Sequence, residues 1–228
     1  MSNPEEFKPV PFYFINTTRK KELSPAEAGK AMKRLKDAGY GGCIFFNKPP
    51  TGFSREEYLS DYWFEVTENF IIAAGEQQLE FWINDGYDFP PGDVAGRIEA
   101  VAPALKQRRL KRFPDGHIEA VEVDWGFPAF EEPESSRLFI ELLYEEYRKR
   151  LGKYFGNGIT GFFSDADNRR VNHFTLPLLN GETYYPWSRD FGGEFRKRFG
   201  YEIGFRLSEL FDGASHSLNQ GYWTLGGE

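Results

Sequence analysis

Residues 158 to 168 read GITGFFSDADN, an apolar run that stops at two aspartates separated by one alanine. Asp165 and Asp167 therefore stand where a strand would give way to a loop. Paired carboxylates in such a place can run general acid–base chemistry, one protonating a leaving oxygen while the other attacks or activates water. Three earlier apolar runs end in the same way. Asn16, with Thr17 and Thr18, follows the first; Asn47 and Lys48 follow the second; Asn84, Asp85 and Gly86 follow the third, with Tyr87 and Asp88 just beyond. Asn and Asp favour strand-to-loop turns for backbone reasons alone. Four polar ends interleaved with aromatic rings nonetheless suit a polyhydroxylated ligand, because hydroxyls need donors and acceptors while C–H faces need flat apolar surface. Asp165 and Asp167 are thus the candidate catalytic pair. Asn16, Asn47, Asn84, Asp85, Tyr87, His173 and Trp187 are the candidate ligand contacts.

Other chemistries find less support. His117, His173 and His216 lie in no metal-ligand spacing, and the chain carries no G-x-S-x-G elbow, phosphate-binding G-x-x-x-x-G-K-[ST] loop or EF-hand pattern. Neither metal nor cofactor is expected. Cys43, the single cysteine, sits in GGCIFF and reads as a small buried hydrophobe. A formal charge of −7 and a pI near 5.2 give the chain no attraction for nucleic acid or an anionic membrane surface. No apolar run approaches the ~20 residues that span a bilayer. The start, MSNPEEFKPV, lacks a basic segment followed by an apolar one, so a cytoplasmic location is expected. Aromatic residues make up 18% of the chain, enough to line a sugar-sized cleft after most of the rings are placed in a core.

Strands and helices alternate along the chain. VPFYFI (10–15) reads as a first strand. SPAEAGKAMKRLKDAG then carries helix signals: Ser24 as N-cap, Pro25 at the first helical position, Glu27 to close a capping box, and Gly39 past the end. Ala28, Ala31, Met32 and Leu35 give it one apolar stripe. GGCIFFN (41–47) is a second strand, and Ser54 with Glu57 predicts another capping box before a helix whose buried face is Trp63, Val66, Phe70 and Ala73. LEFWIN (79–84) is the third strand. Pro114-Asp115-Gly116 separates two alternating segments and predicts a β-hairpin insertion, with Arg108, Arg109, Lys111 and Arg112 as a solvated basic face. A long helix burying Phe139, Leu142, Leu143, Tyr147 and Leu151 leads to GITGFF, the fourth strand. Ser188 is placed to cap a last helix in which Phe191, Phe195 and Phe199 share one face, and Gly200 ends it.

Strand followed by helix, four times, predicts parallel β/α units with right-handed crossovers. A doubly wound dinucleotide fold wants glycines in its first strand–helix turn, and INTTRKKELS has none. The fold class expected is therefore α/β, of the (β/α)8 TIM-barrel type, present as four units plus the hairpin in a single partial domain over 1–228. A complete barrel of this type typically takes ~250 residues.

Several of these stretches, taken in order, resemble one family. GGCIFFNKPPTGFSREEYLSDYWFE resembles the second unit of large glycoside hydrolases with a TIM-barrel catalytic domain, relatives of the α-L-rhamnosidase type. LEFWINDGYDFPPGDVAG is similar to their third strand and its loop, and PESSRLFIELLYEEYRKRLGKYFGNGITGFFSD to their long helix and fourth strand. PWSRDFGGEFRKRFGYEIGFRLSELF looks like the segment after it, so the resemblance runs from about residue 11 to 211. It implies O-glycosyl hydrolysis of a carbohydrate, and a truncated barrel, since family members continue far past this point. Two departures bear on the chemistry. The family's fourth strand commonly ends in Asp-Glu-Pro with the Glu as general acid; here Asp165, Ala166 and Asp167 stand in that place, and a methyl group donates no proton. The family's third-strand Asp-Glu is Asp85-Gly86 here. Three readings follow: a glycoside hydrolase that uses Asp165 or Asp167, a carbohydrate-binding protein that has lost catalysis, or a half barrel that pairs with a second copy as a homodimer.

Overall fold

Strand and helix alternate as the apolar pattern predicts. The computed structural model describes residues 7–88, 92–122, 128–129, 131–164 and 185–226. In chain order its elements are β1 (Phe12–Ile15), α1 (Pro25–Asp37), β2 (Gly42–Asn47), α2 (Asp61–Glu76), β3 (Glu80–Asn84), α3 (Arg97–Val101), β4 (Arg108–Arg112), β5 (Ile118–Glu122) and α4 (Pro133–Phe139). A π turn, Ile140–Tyr144, joins α4 to α5 (Glu145–Leu151). Then come β6 (Gly161–Phe163), β7 (Tyr185–Pro186), α6 (Phe191–Phe199), α7 (Leu207–Phe211) and α8 (His216–Gly226). The protein is mixed α/β. Its two compact units are Met1–Ile98 with Arg137–Ala166, and Glu99–Ser136 with Asp167–Glu228.

In the first unit, β1, β2, β3 and β6 pair in parallel, in that order. Spatial order equals chain order, so each crossover moves the chain one strand further in the same direction. The register sets Ile15 beside Asn47 and Asn84 beside Phe163, and thereby brings the carboxyl ends of the strands into step. Alternation along each strand sorts the side chains onto two faces. Tyr13 and Phe45 meet Phe70 of α2, with ring centroids 5.3 Å apart in both pairs, and Cys43 meets Met32 of α1. Phe12, Phe14, Phe46 and Phe163 form an aromatic cluster on the opposite face, where the centroids of Phe12 and Phe163 lie 5.2 Å apart. A flat sheet would hold β1 and β6 about 14 Å apart, three spacings of ~4.8 Å. The sheet therefore curls toward this face. Phe12 and Phe14, on the edge strand β1, stay 44% and 46% exposed.

Local signals place the helices of the first unit with three differences. Ser24 is the N-cap of α1 and Pro25 its first residue, but the Ser24 hydroxyl donates to the Lys21 carbonyl (3.1 Å) and Glu27 pairs with Lys30 (2.7 Å). That capping box does not close. The second box does close: Ser54 N–H donates to Glu57 Oε2 (3.0 Å) and Glu57 N–H to Ser54 Oγ (3.3 Å). It stabilises a single turn and starts no helix, because Leu59 takes a left-handed φ of 60° and breaks the run. The helix α2 starts afresh with Ser60, whose hydroxyl accepts the Trp63 N–H at 3.2 Å. Its expected apolar face, Trp63, Val66, Phe70 and Ala73, is buried throughout. The third difference is the π turn, which interrupts what the sequence predicts as one long helix.

The second unit holds the predicted hairpin. β4 and β5 pair antiparallel around Pro114-Asp115-Gly116, where Gly116 adopts a φ of 90° that suits a residue without a side chain. β7 pairs with the other edge of β4. Leu110, Tyr185, Phe191, Phe195, Ile203 and Leu210 pack with the helices into a separate core. Asp190, not Ser188, is the N-cap of α6, and Gly200 (φ 78°) ends it. The basic strand is less solvated than expected. Arg112 donates to Asp212 (2.7 Å) and to the Ser208 carbonyl (2.9 Å) and lies over the Phe211 ring. No helix among the described residues is long and apolar enough to cross a membrane.

Candidate functional site

The level strand ends of the first unit carry a buried polar layer. Asn47, the last residue of β2, is 1% exposed. Its amide nitrogen donates to the carbonyls of Phe53 (3.0 Å) and Tyr87 (3.1 Å), and its oxygen accepts the Phe53 N–H (2.8 Å). One side chain thus ties the loop after β2 to the loop after β3. The loop fits against the strand ends only because residue 52 is glycine: a Cβ there would sit 2.4 Å from the Ile15 carbonyl oxygen and 2.5 Å from Asn47 Oδ1.

Asn84 and Asp85 continue the layer at the end of β3. Asn84, 4% exposed, donates to the Gly86 carbonyl at 3.3 Å. Asp85 is fully buried; its N–H donates to the Phe163 carbonyl (3.1 Å), and its Oδ2 accepts the Tyr144 hydroxyl at 2.8 Å. The π turn makes that last bond. A π turn brings residues five apart into line, and the rings of Phe139 and Tyr144 meet edge to face at 5.5 Å. The Tyr144 ring also abuts Phe162 of β6 at 4.8 Å. The hydroxyl is thereby aimed at the end of β3.

Behind Asp85 lies a group of tyrosines. Tyr147, on α5, accepts the Trp63 indole N–H at 2.9 Å, and Tyr58 packs on Trp63 and Tyr87. Arg55 lies over the Tyr87 ring and donates to Asp93 Oδ2 at 2.8 Å, while Asp93 Oδ1 accepts the Ala95 N–H. Arg97 donates to the Tyr58 carbonyl at 2.5 Å. Burial raises the pKa of all three phenols, Tyr58, Tyr144 and Tyr147. For Tyr58 the neighbouring Tyr147, Asp85 and Asp93 add to the rise, and for Tyr144 Asp85 does. These hydroxyls stay protonated and do not act as bases. Burial likewise pushes the Cys43 thiol up to about 12, which removes it as a nucleophile.

The structure thus brings Asn47, Asn84, Asp85 and Tyr87 together, and turns their polar groups towards the protein's own backbone and side chains. Asn16 stands exposed at the end of β1. Lys48 reaches Asp88 at 3.6 Å. Trp187 belongs to the second unit, where its half-buried ring lies 4.8 Å from Phe191 and its backbone N–H donates to the Arg108 carbonyl. Asp165, Asp167 and His173 lie outside the described residues. Sequence reasoning placed Tyr147 on the buried face of a helix but missed the polar role of Tyr58, Tyr144 and Tyr147. For Tyr147 the signal was available in principle, since a tyrosine on the buried face of a helix needs a partner for its hydroxyl. Among the described residues, no group of three or more His, Cys, Asp or Glu is arranged to hold a metal ion.

Glycosidase chemistry needs two carboxylates ~5–9 Å apart across an accessible bond. Asp85 and Asp93, both buried and engaged, serve as braces instead. Compared with known proteins, the chain matches no family model, no curated protein and no solved structure. The glycoside-hydrolase resemblance rests on the quoted motifs alone.

Proposed function

We propose that the chain forms part of a (β/α)8-type domain of the glycoside-hydrolase kind and engages a carbohydrate at the carboxyl ends of its parallel strands. The sheet carries this reading. Its four parallel strands run in chain order without the reversal that marks a doubly wound fold, and they curl to one side. A braced polar layer stands at the end where such folds place their ligands. In this proposal Asp165 and Asp167 supply the acid and base, and Asn16 offers a hydroxyl partner. Turnover of a panel of aryl glycosides tests it. At least one substrate is cleaved, and Asp165→Asn or Asp167→Asn lowers the rate ~10²–10⁴-fold. Equal rates in both variants remove the assignment.

Ala166 at the position of the expected acid favours a second reading, saccharide binding without turnover. Calorimetric binding that weakens in Asn16→Ala, with no cleavage of any substrate, selects it. Absence of both binding and turnover across a glycan panel sinks the carbohydrate assignment altogether. The outer edges of β1 and β6 pair with no described strand, so a second copy can continue the sheet. Light scattering distinguishes the 26.4 kDa chain from its dimer.

A further inference from the structure

The tyrosines behind Asp85 include a buried hydroxyl without a hydrogen-bond partner among the described residues. Tyr58 is 0% exposed, and its hydroxyl has no hydrogen-bond partner among the described residues. Tyr147, also 0% exposed, has its oxygen occupied by the Trp63 indole N–H, which leaves its own proton to be placed. A direct bond between the two phenols would place only one of the two protons. Two further acceptors stand near Tyr58, the carboxylates of Asp85 and Asp93. Both oxygens of Asp93 already take donors, Arg55 and the Ala95 N–H. Buried hydroxyls without partners are rare in folded proteins, and the usual remedy in a polar interior is an ordered water with two to four partners.

The geometry points to an internal water site formed by Tyr58, Tyr147 and Asp85, in which the water accepts both phenolic protons and donates to the carboxylate. Its three partners come from the turn before α2, from α5 and from the end of β3. One molecule would therefore tie together three segments beneath the strand ends. The site does not depend on the carbohydrate reading, since it needs no ligand at the surface.

Magnetic relaxation dispersion of water, which detects long-lived internal molecules, tests the site on the intact protein. The Tyr58→Phe variant loses the contribution of one such water relative to wild type, and its Tm falls. A Tm that rises or stays the same in Tyr58→Phe, as expected when an unpartnered hydroxyl is removed, overturns the proposal. A high-resolution crystal structure of the wild-type protein decides independently of any variant. A water peak about 2.6–3.2 Å from Tyr58 Oη supports the site. A Tyr58 hydroxyl bonded directly to Tyr147 or Asp85, with no water between, removes it.

Discussion

Tyr144→Phe removes one buried hydroxyl. The substitution keeps the ring, and with it the edge-to-face contacts with Phe139 and Phe162 at 5.5 and 4.8 Å. Only the hydroxyl that donates to the fully buried Asp85 at 2.8 Å is lost. Hydrogen bonds to charged groups contribute ~1.5–3 kcal/mol, and the partner left behind is a buried carboxylate that solvent cannot reach. In a protein of this size ~1 kcal/mol moves Tm by about 2–4 °C, so the expected fall is about 3–12 °C. Tyr154→Phe is the internal control. It removes a hydroxyl that donates to Glu68, also at 2.8 Å, but in a more solvated setting shared with Lys153, where the loss should stay below ~1 kcal/mol. Thermal unfolding followed by circular dichroism measures both variants. A Tyr144→Phe loss no larger than that of Tyr154→Phe would refute the role assigned to the π turn.

The remaining predictions concern pH and backbone fit. Burial raises the phenol pKa of Tyr58, Tyr144, Tyr147 and Tyr222. The folded protein then keeps protons that the unfolded chain releases above ~10, so their contribution to stability is complete below that pH and is lost as pH rises towards the folded values. Tm should fall steeply on the alkaline side, with tyrosinate absorbance from these residues appearing together with unfolding; midpoints near ~10 in the folded protein would contradict it. Gly52→Ala forces a methyl against the Ile15 carbonyl and Asn47 Oδ1, and should lower Tm by several degrees. Gly29→Ala, inside α1 with open space around it, should raise stability by ~0.5–1 kcal/mol in denaturant unfolding.

Much of the scaffold was legible because its signals are local. Strand alternation, the Pro25 start of α1 and the Gly116 turn each depend on a few neighbouring residues. Capping signals were legible as chemistry but not as boundaries. Ser54 and Glu57 do bond reciprocally, yet whether a helix follows depends on the backbone at Leu59, which no propensity marks. The π turn was hidden for a related reason. Phe139, Leu143, Tyr147 and Leu151 keep four-residue spacing and fit an unbroken helix, and the bond from Tyr144 to Asp85 across the turn is not visible in that pattern. The candidate site was legible as a position and not as a role. Asn and Asp at strand ends look alike whether they face a ligand or the backbone. Asn47 faces the backbone because Phe53 and Tyr87 arrive from loops whose course the sequence pattern does not dictate.

A buried carboxylate beneath the strand ends needs a reason, because stability alone does not supply one. Apolar groups of similar volume commonly replace buried charges at no loss. What they cannot replace is direction. Asp85 takes a bond from the π turn, and Asn47 takes or gives three to two different loops, so each segment leaving the sheet is fixed by bonds that tolerate little displacement. A surface that must match hydroxyl positions benefits from such bracing, since groups that touch a ligand act only when their supports hold them within a fraction of an ångström. The division of labour that follows places Asn47, Asn84 and Asp85 among the supports. In the proposed carbohydrate reading, contact with the sugar falls to residues beyond this layer, Asn16 at the end of β1 and Asp165 and Asp167 after β6, and substitutions in the two groups should differ in kind. Changes in the layer lower Tm first and binding as a consequence, whereas Asn16→Ala weakens binding at unchanged Tm.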